Sequence, residues 1–236
     1  MLKNLKLVVF DMSGTTVKDY NEVVDCFYDA LIFTGITTEK SYINTMMGWS
    51  KIEVFEKLWR EEFAANPSIG SENLEASIHQ KAQNSFRVFK DLLEEWYAIN
   101  SIEPTDGCLE IFDFLKENNI KIALNTGFNR EVADQIFQKL NWQQGNPFDF
   151  SITSDEVEKG RPEPFMIQKA MKKFGITDPK QVAKIGDTPS DLQEGRAAGV
   201  WSFGVTNGTH TQAQLAAHDC DELFESLVDF GKYLLK

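Results

Sequence analysis

Leu5-Lys6-Leu7-Val8-Val9-Phe10-Asp11-Met12-Ser13-Gly14-Thr15-Thr16 is the stretch that decides the fold. An apolar run without alternation suits a strand covered on both faces, as in a parallel sheet buried between helices. The run ends in one aspartate and breaks at Gly14. In open α/β sheets, ligands sit beyond the carboxyl ends of the strands, so Asp11 stands where chemistry is done. Gly14 allows a sharp turn that brings backbone N–H groups toward an anion. An aspartate at this place also has a purely local reading, as the cap of the next helix.

Three later stretches weigh between the two readings. Ile120 to Phe128 is a second buried strand, ending in Thr126 and Gly127. Gly160-Arg161-Pro162-Glu163-Pro164 places a cation just before a helix. Val182 to Gly186 is another buried strand, followed by Asp187 and, four residues on, Asp191. A nucleophile-type Asp, a Thr, a cation and an Asp pair therefore follow in order, each at a strand end or helix start. Asp187 and Asp191 taken alone are also compatible with a solvated helix start.

This set of four resembles the haloacid dehalogenase superfamily of aspartate-nucleophile hydrolases over essentially the whole chain. Within it the pattern is similar to the phosphonatase branch, the phosphonoacetaldehyde hydrolases. Gly14-Thr15-Thr16-Val17 follows the aspartate, and the cation is Arg161, where most of the superfamily has Lys. Met47-Gly48-Trp49-Ser50-Lys51 resembles the Met-Gly-x-x-Lys of that branch's cap, and Gly186 to Trp201 follows its pattern. The resemblance implies a doubly wound parallel α/β core, Rossmann-like, with an inserted all-helical cap domain. It also implies an aspartyl-phosphate on Asp11 and a Mg²⁺ ion held by Asp11, Asp187 and the Ser13 backbone carbonyl, with Asp191 orienting the ligands. Thr126 and the N–H groups of Gly127 and Phe128 would hold phosphate oxygens, and Arg161 would neutralise them. Met47 and Gly48 would line the substrate side of the cap.

Lys51 and Ser13 carry the substrate question. Many phosphatases of the superfamily have Asp two residues after the nucleophile as general acid and base; a serine there cannot donate a proton as a carboxylic acid does. The phosphonatases manage without that acid, because a cap lysine forms a Schiff base with the substrate aldehyde, and Lys51 sits at the matching place. Such a lysine must be partly neutral, which burial or a cationic neighbour provides. Lys51 also admits two other readings, an exposed helix-start lysine or a contact to a substrate's anionic or hydroxyl tail. The chain departs from the branch at Val54, where the branch has His, at Phe128, where it has Tyr, and at Ser13, where it usually has Ala. The expected activity is a Mg²⁺-dependent hydrolase acting on a small phosphonate or phosphate metabolite. A phosphate monoesterase resembling phosphoglycolate or sugar phosphatases is the alternative. A catalytically weak phosphate-binding or regulatory protein is the reading from another class.

Composition bounds the rest. The chain has 236 residues, enough for one large domain or two modest ones, and 42% of them are hydrophobic. Acidic residues outnumber basic ones 36 to 24, a net charge of -12, which argues against nucleic acid and anionic membranes as partners. Cys26, Cys108 and Cys220 are odd in number and far apart, so free thiols in a reducing, cytoplasmic setting are expected. No apolar run approaches the roughly 20 residues that span a bilayer, and no signal peptide is legible. Asn207-Gly208-Thr209 matches a glycosylation acceptor, a coincidence in such a setting. His79, His210 and His218 lie outside every motif and are read as surface or packing residues.

Along the chain, the core is expected at residues 1–17 and 101–236 and the helical cap at 18–100. Within the cap, helical spacing covers 22–31, 52–59 and 74–96, with a loop at 66–71. Returning to the core, the pattern predicts helices at 108–117, 130–140, 164–174 and 191–198. The matching strands are predicted at 120–126, 148–153, 182–186 and 200–205, with a short strand near 221–224 and a final helix. The linkers near 17–19 and 100–105 are the expected hinges. A homodimer through the cap is the protein partner that the resemblance offers.

Overall fold

The computed structural model describes residues 4–66 and 73–235; the expected loop at 66–71 lies, Asn66 apart, outside them. Strand β1 (Leu7–Asp11) is buried along its whole length. It pairs in parallel with β2 (Lys121–Thr126) on one side and β6 (Val182–Gly186) on the other. β5 (Phe150–Thr153), β7 (Trp201–Val205) and β8 (Glu222–Phe224) complete a parallel sheet in the order β5-β2-β1-β6-β7-β8. Side chains of a strand alternate between faces, and both faces of β1 are covered. Leu7 and Val9 pack with Met166, Ile167 and Ala170 of α7 (Phe165–Lys173). Val8 and Phe10 face the other way, where Phe10 meets Phe112 of α5 (Cys108–Glu117) and Phe230 of α10 (Leu227–Leu234) edge-on. β1 therefore lies inside the sheet where connections depart to both sides, and its carboxyl end opens on the crevice that such sheets use for ligands.

Among the described residues, four helices stand between β1 and α5: α1 (Glu22–Thr34), α2 (Lys40–Asn44), α3 (Lys51–Ala65) and α4 (Leu74–Ile99). Their core is aromatic. Phe27 stacks on Phe55 at 3.9 Å, and Phe89 closes the cluster at 5.3 Å from Phe27. In α4 the residues Ile78, Ala82, Ser85, Phe89, Leu93 and Tyr97 form the buried stripe, at the three- and four-residue steps of one helix face. Ser85 is satisfied within that core by the Trp59 indole N–H at 2.9 Å and the Thr34 hydroxyl at 2.7 Å.

The chain enters and leaves this helical insertion through two segments that lie side by side. Lys18 N–H donates to Glu103 O at 2.9 Å and Thr105 N–H to Thr16 O at 3.0 Å. A second contact runs between α4 and α6 (Arg130–Leu140). Lys90 pairs with Glu131 at 2.5 Å, Gln135 donates to Glu94 at 3.0 Å, and Lys139 reaches the carbonyls of Ala98 and Asn100. Both helices contribute at four-residue steps, so the contacts form a ladder.

Three differences from the sequence reading have local causes. The strand expected at 148–153 is divided at Asp149, with Pro147–Phe148 (β4) pairing to Gln143–Gln144 (β3) and only β5 joining the main sheet. The Asp149 carboxylate accepts the Ile122 N–H at 2.9 Å and pairs with Lys121, replacing a ladder bond by a side-chain one. The short helices α2 and α9 (Gln212–Leu215) were not foreseen, because about one turn is too short to show a period. α8 (Pro189–Ala198) begins two residues earlier than expected, with Pro189 at its first position. Among the described residues, no helix is long and apolar enough to cross a membrane.

Candidate active site

Asp11 closes β1 at the carboxyl edge of the sheet and is buried. The chain then folds back tightly: the N–H groups of Thr15, Thr16 and Val17 all donate to Met12 O. Gly14 makes the turn possible at φ +81°, where a Cβ would also lie 2.7 Å from the Asp187 carboxyl carbon. The turn delivers the Thr15 hydroxyl to Asp187 at 2.9 Å. Asp187 also accepts the Thr209 N–H at 2.8 Å and the Thr209 hydroxyl at 2.7 Å. Burial, then Asp11 and Asp191, pushes the Asp187 carboxyl up to about 8.

Asp191 sits in the first turn of α8, where Thr188 and Asp191 cap one another. It also pairs with Arg161 and, at 2.8 Å, with Lys184. Burial would raise its pKa, but Arg161 and Lys184 outweigh it and hold the carboxyl down to about 2. Arg161 is 1% exposed and its fork spans Asp11, at 2.7 Å, and Asp191. The neighbouring Lys159 is exposed. Thr126 ends β2, and its hydroxyl accepts the Phe128 N–H at 3.1 Å.

The helical insertion closes over this edge. Gly48, at φ +87°, approaches so tightly that a Cβ would lie 2.5 Å from the Thr188 hydroxyl. The Met47 carbonyl accepts the Ser190 hydroxyl at 3.1 Å. A Cβ on Gly127 would lie 2.8 Å from the Gly48 carbonyl. Lys51, the first residue of α3, is 5% exposed, and its ammonium lies 5.5 Å from the centre of the Phe128 ring. It has no carboxylate within ion-pair distance among the described residues. Burial, then the nearby Arg161, lowers the Lys51 pKa to about 8.

Between these parts lies a narrow cavity, about 340 Å³ with the open space at its mouth included. Asp11, Ser13, Met47, Gly48, Lys51, Thr126, Gly127, Phe128 and Arg161 all line it. Asp187 and Asp191 lie behind Asp11; the three carboxylates present oxygens within 4.8 Å of one another. Buried convergent carboxylates with two of them, Asp11 and Asp187, driven toward protonation are a donor set short of positive charge. The set is all oxygen, as a hard divalent cation requires. The Ser13 hydroxyl is buried without a hydrogen-bond partner.

Several residues of the site were missed in the sequence. Asp19, Val23, Thr188 and Thr209 also line the cavity. Lys184, fully buried, was read as part of an apolar strand; it joins Asn125 at 2.6 Å and Asp191, while Asn125 donates to Glu194 at 2.9 Å. A lone lysine inside such a run was the available signal, since a buried cation has to be paired. Thr209 belongs to the tripeptide noted as a glycosylation match. None of the three histidines lines the cavity. His210 is buried behind Thr209, in contact with its hydroxyl at 3.0 Å. The cysteines are free, with Cys26 and Cys108 buried.

Residues 5–199 match the family model of haloacid dehalogenase-like hydrolases. The chain is similar to a phosphonoacetaldehyde hydrolase of Bacillus cereus, 31% identical over 94% of this chain and 85% of that protein. In fold it is similar to a phosphonoacetaldehyde hydrolase-like protein from Oleispira antarctica (TM-score 0.83, 19% identity, 98% and 92% of the two chains). It is similar also to a putative phosphoglycolate phosphatase from Lactobacillus delbrueckii (TM-score 0.73, 20% identity, 98% of each chain).

Proposed function

The chain belongs to the haloacid dehalogenase-like hydrolases, and on that premise we propose that it is phosphonatase-like. In this reading it is a Mg²⁺-dependent enzyme that cleaves the carbon–phosphorus bond of a small phosphonate aldehyde. Residues 1–17 and 101–236 form the catalytic core, and 18–100 the cap. The observation that carries the reading is Lys51. It is buried in the cavity, free of a carboxylate partner among the described residues, and lowered toward neutrality. A lysine that only holds an anionic tail gains by staying charged, whereas one that attacks a carbonyl must be neutral.

The chemistry then divides between the two sides of the cavity. Neutral Nζ of Lys51 condenses with the aldehyde and leaves an iminium. That iminium draws in the electron pair of the carbon–phosphorus bond as an Asp11 carboxylate oxygen attacks phosphorus. The products are an enamine on Lys51 and an aspartyl-phosphate on Asp11, which water hydrolyses. Arg161 and the Thr126 hydroxyl hold the phosphoryl oxygens, and the guanidinium offsets their charge. No alkoxide leaves, so the lack of an acid at Ser13 is no defect. A magnesium ion would be held by Asp11, Asp187 and the Ser13 backbone carbonyl, with Asp191 behind. When bound, it adds positive charge beside the nucleophile and the phosphoryl group.

The test is incubation with phosphonoacetaldehyde and Mg²⁺, with phosphate and acetaldehyde both measured and borohydride added in parallel. Equal release of both products, abolished by a chelator, and inactivation mapped to Lys51 are expected. A second reading, hydrolysis of a small phosphate ester, is favoured by Val54 and Phe128. Val54 is packed in the helical core, and Phe128 has no hydroxyl to offer. Phosphate released from such esters with no trapping at Lys51 would replace the first reading by the second.

A further inference from the structure

We propose that Asp19 is the acid–base partner of Lys51, the carboxyl group that moves protons at the substrate's carbonyl oxygen. The inference rests on the reading of Lys51 as an imine-forming amine. Imine formation needs an acid, because hydroxide is a poor leaving group and must depart as water. The residues around Lys51 that a proton donor would occupy are unsuited to it. Val54, one turn along α3, is apolar, and Phe128 beneath the amine carries no hydroxyl. The Thr126 hydroxyl, which accepts the Phe128 N–H, is an alcohol and far too weak an acid to protonate a leaving hydroxide.

Four charged side chains line the cavity among the described residues: Asp11, Asp19, Lys51 and Arg161. Asp11 and Arg161 are bound to each other. Asp19 is then the carboxyl group left to serve Lys51. It stands on the segment between β1 and α1, where Asn21 takes a left-handed conformation at φ 66°. That turn brings the Asn21 N–H onto one Asp19 oxygen at 2.6 Å and leaves the other unengaged by any hydrogen bond within the described chain. Behind it lies Glu22, 3% exposed, whose carboxyl oxygens accept the Tyr20 N–H at 2.7 Å and the Tyr97 hydroxyl at 3.3 Å. Burial raises both carboxyls toward protonation, Glu22 to about 7, and the nearby Asp19 charge raises Glu22 further. Lys51 pulls the Asp19 carboxyl back down, and Asp25 pushes it up. Asp19 is thus a carboxyl driven toward protonation in the cavity that holds the amine.

The step balances. Neutral Nζ of Lys51 bonds to the aldehyde carbon, and one of its protons passes to the oxygen, giving a carbinolamine. Protonated Asp19 gives its proton to that hydroxyl, the carbon–oxygen bond breaks and water leaves. The nitrogen lone pair forms the carbon–nitrogen double bond. An iminium cation, a water and an Asp19 carboxylate result, the two charges facing across the cavity. Asp19 is only partly buried, so solvent returns the proton to it.

The experiment is time-resolved borohydride trapping at Lys51 with phosphonoacetaldehyde, in wild type, Asp19→Asn and Asp19→Ala. Wild type is expected to trap quickly. Asp19→Asn should trap about 100-fold more slowly or worse, the scale of a lost acid–base group, with KM changed only a few-fold. Formate should restore part of the rate to Asp19→Ala, a response that a merely structural role for Asp19 would not give. Trapping in Asp19→Asn as fast as in wild type, or no response of Asp19→Ala to formate, would overturn the assignment. Wild type that never traps would remove the imine reading itself, and this inference with it.

Discussion

Burial sets the behaviour of Lys51 before any substrate arrives. An ammonium removed from water is destabilised, and the fall from the ordinary 10.5 to about 8 corresponds to about 3 kcal/mol. Below pH 8 the lysine is charged folded and unfolded, so the whole penalty is present. Between 8 and 10.5 the unfolded chain binds more protons than the folded one, so stability rises with pH there. Lys51→Met should therefore stabilise the fold at pH 7, by up to about 3 kcal/mol in denaturant unfolding, with the gain shrinking toward pH 10.5. An equal gain at pH 7 and pH 10 would show that the amine is not desolvated. Individual residues were unevenly legible. Asp11, Thr126, Arg161 and Asp187 could be picked out because each stands where a strand or loop pattern stops. Asp19 and Thr209 could not, since each lies in a polar stretch where one more oxygen carries no signal. They reach the cavity only through tertiary folding.

At the scale of elements, the tight approach of the loop before α3 to the loop after β2 is the joint on which the site depends. Gly127 is needed there for space, because its φ is not in the left-handed region and its missing Cβ would strike the Trp49 and Gly48 carbonyls. Gly127→Ala should keep the fold, with a melting point within a few degrees of wild type, and lose tenfold or more in kcat/KM because the loops are held apart. Unchanged kcat/KM would mean that closure to this distance is not required for turnover. Secondary structure was read best where period and punctuation agree. α5 and α6 occupy the expected 108–117 and 130–140, their apolar faces ended by Asn118 and Asn141. It was read worst where a side chain substitutes for backbone pairing, as Asp149 does between β4 and β5. One-turn helices leave too few residues for a face to show.

For the whole molecule, the described residues of the helical insertion meet the core at the paired linkers, at the loops over the cavity and along the α4–α6 ladder. The loops and the ladder have to part if the insertion swings open on its linkers to admit substrate. A cleavable crosslink between cysteines placed at Glu94 and Gln135, in a Cys220→Ser background, should cut turnover at least tenfold and release it on cleavage. Full turnover in the crosslinked protein would rule out a required opening. The parallel sheet and its helical insertion were legible from alternation of strand and helix broken by one all-helical stretch. The ladder was not, because surface charges at four-residue steps look the same whether they meet water or another helix. The position of β1 has one more consequence, for the order in which the chain can be assembled. The strand that carries Asp11 is made before both of its neighbours, which end at Thr126 and Gly186. A ribosome adding about 5–20 residues each second leaves that apolar strand without its second neighbour for roughly ten to thirty seconds. The helical insertion, contiguous in the chain, emerges whole in that interval. A fully buried strand of the sheet is thus made well before the neighbours that cover it, a burden that falls on whatever shields nascent chains.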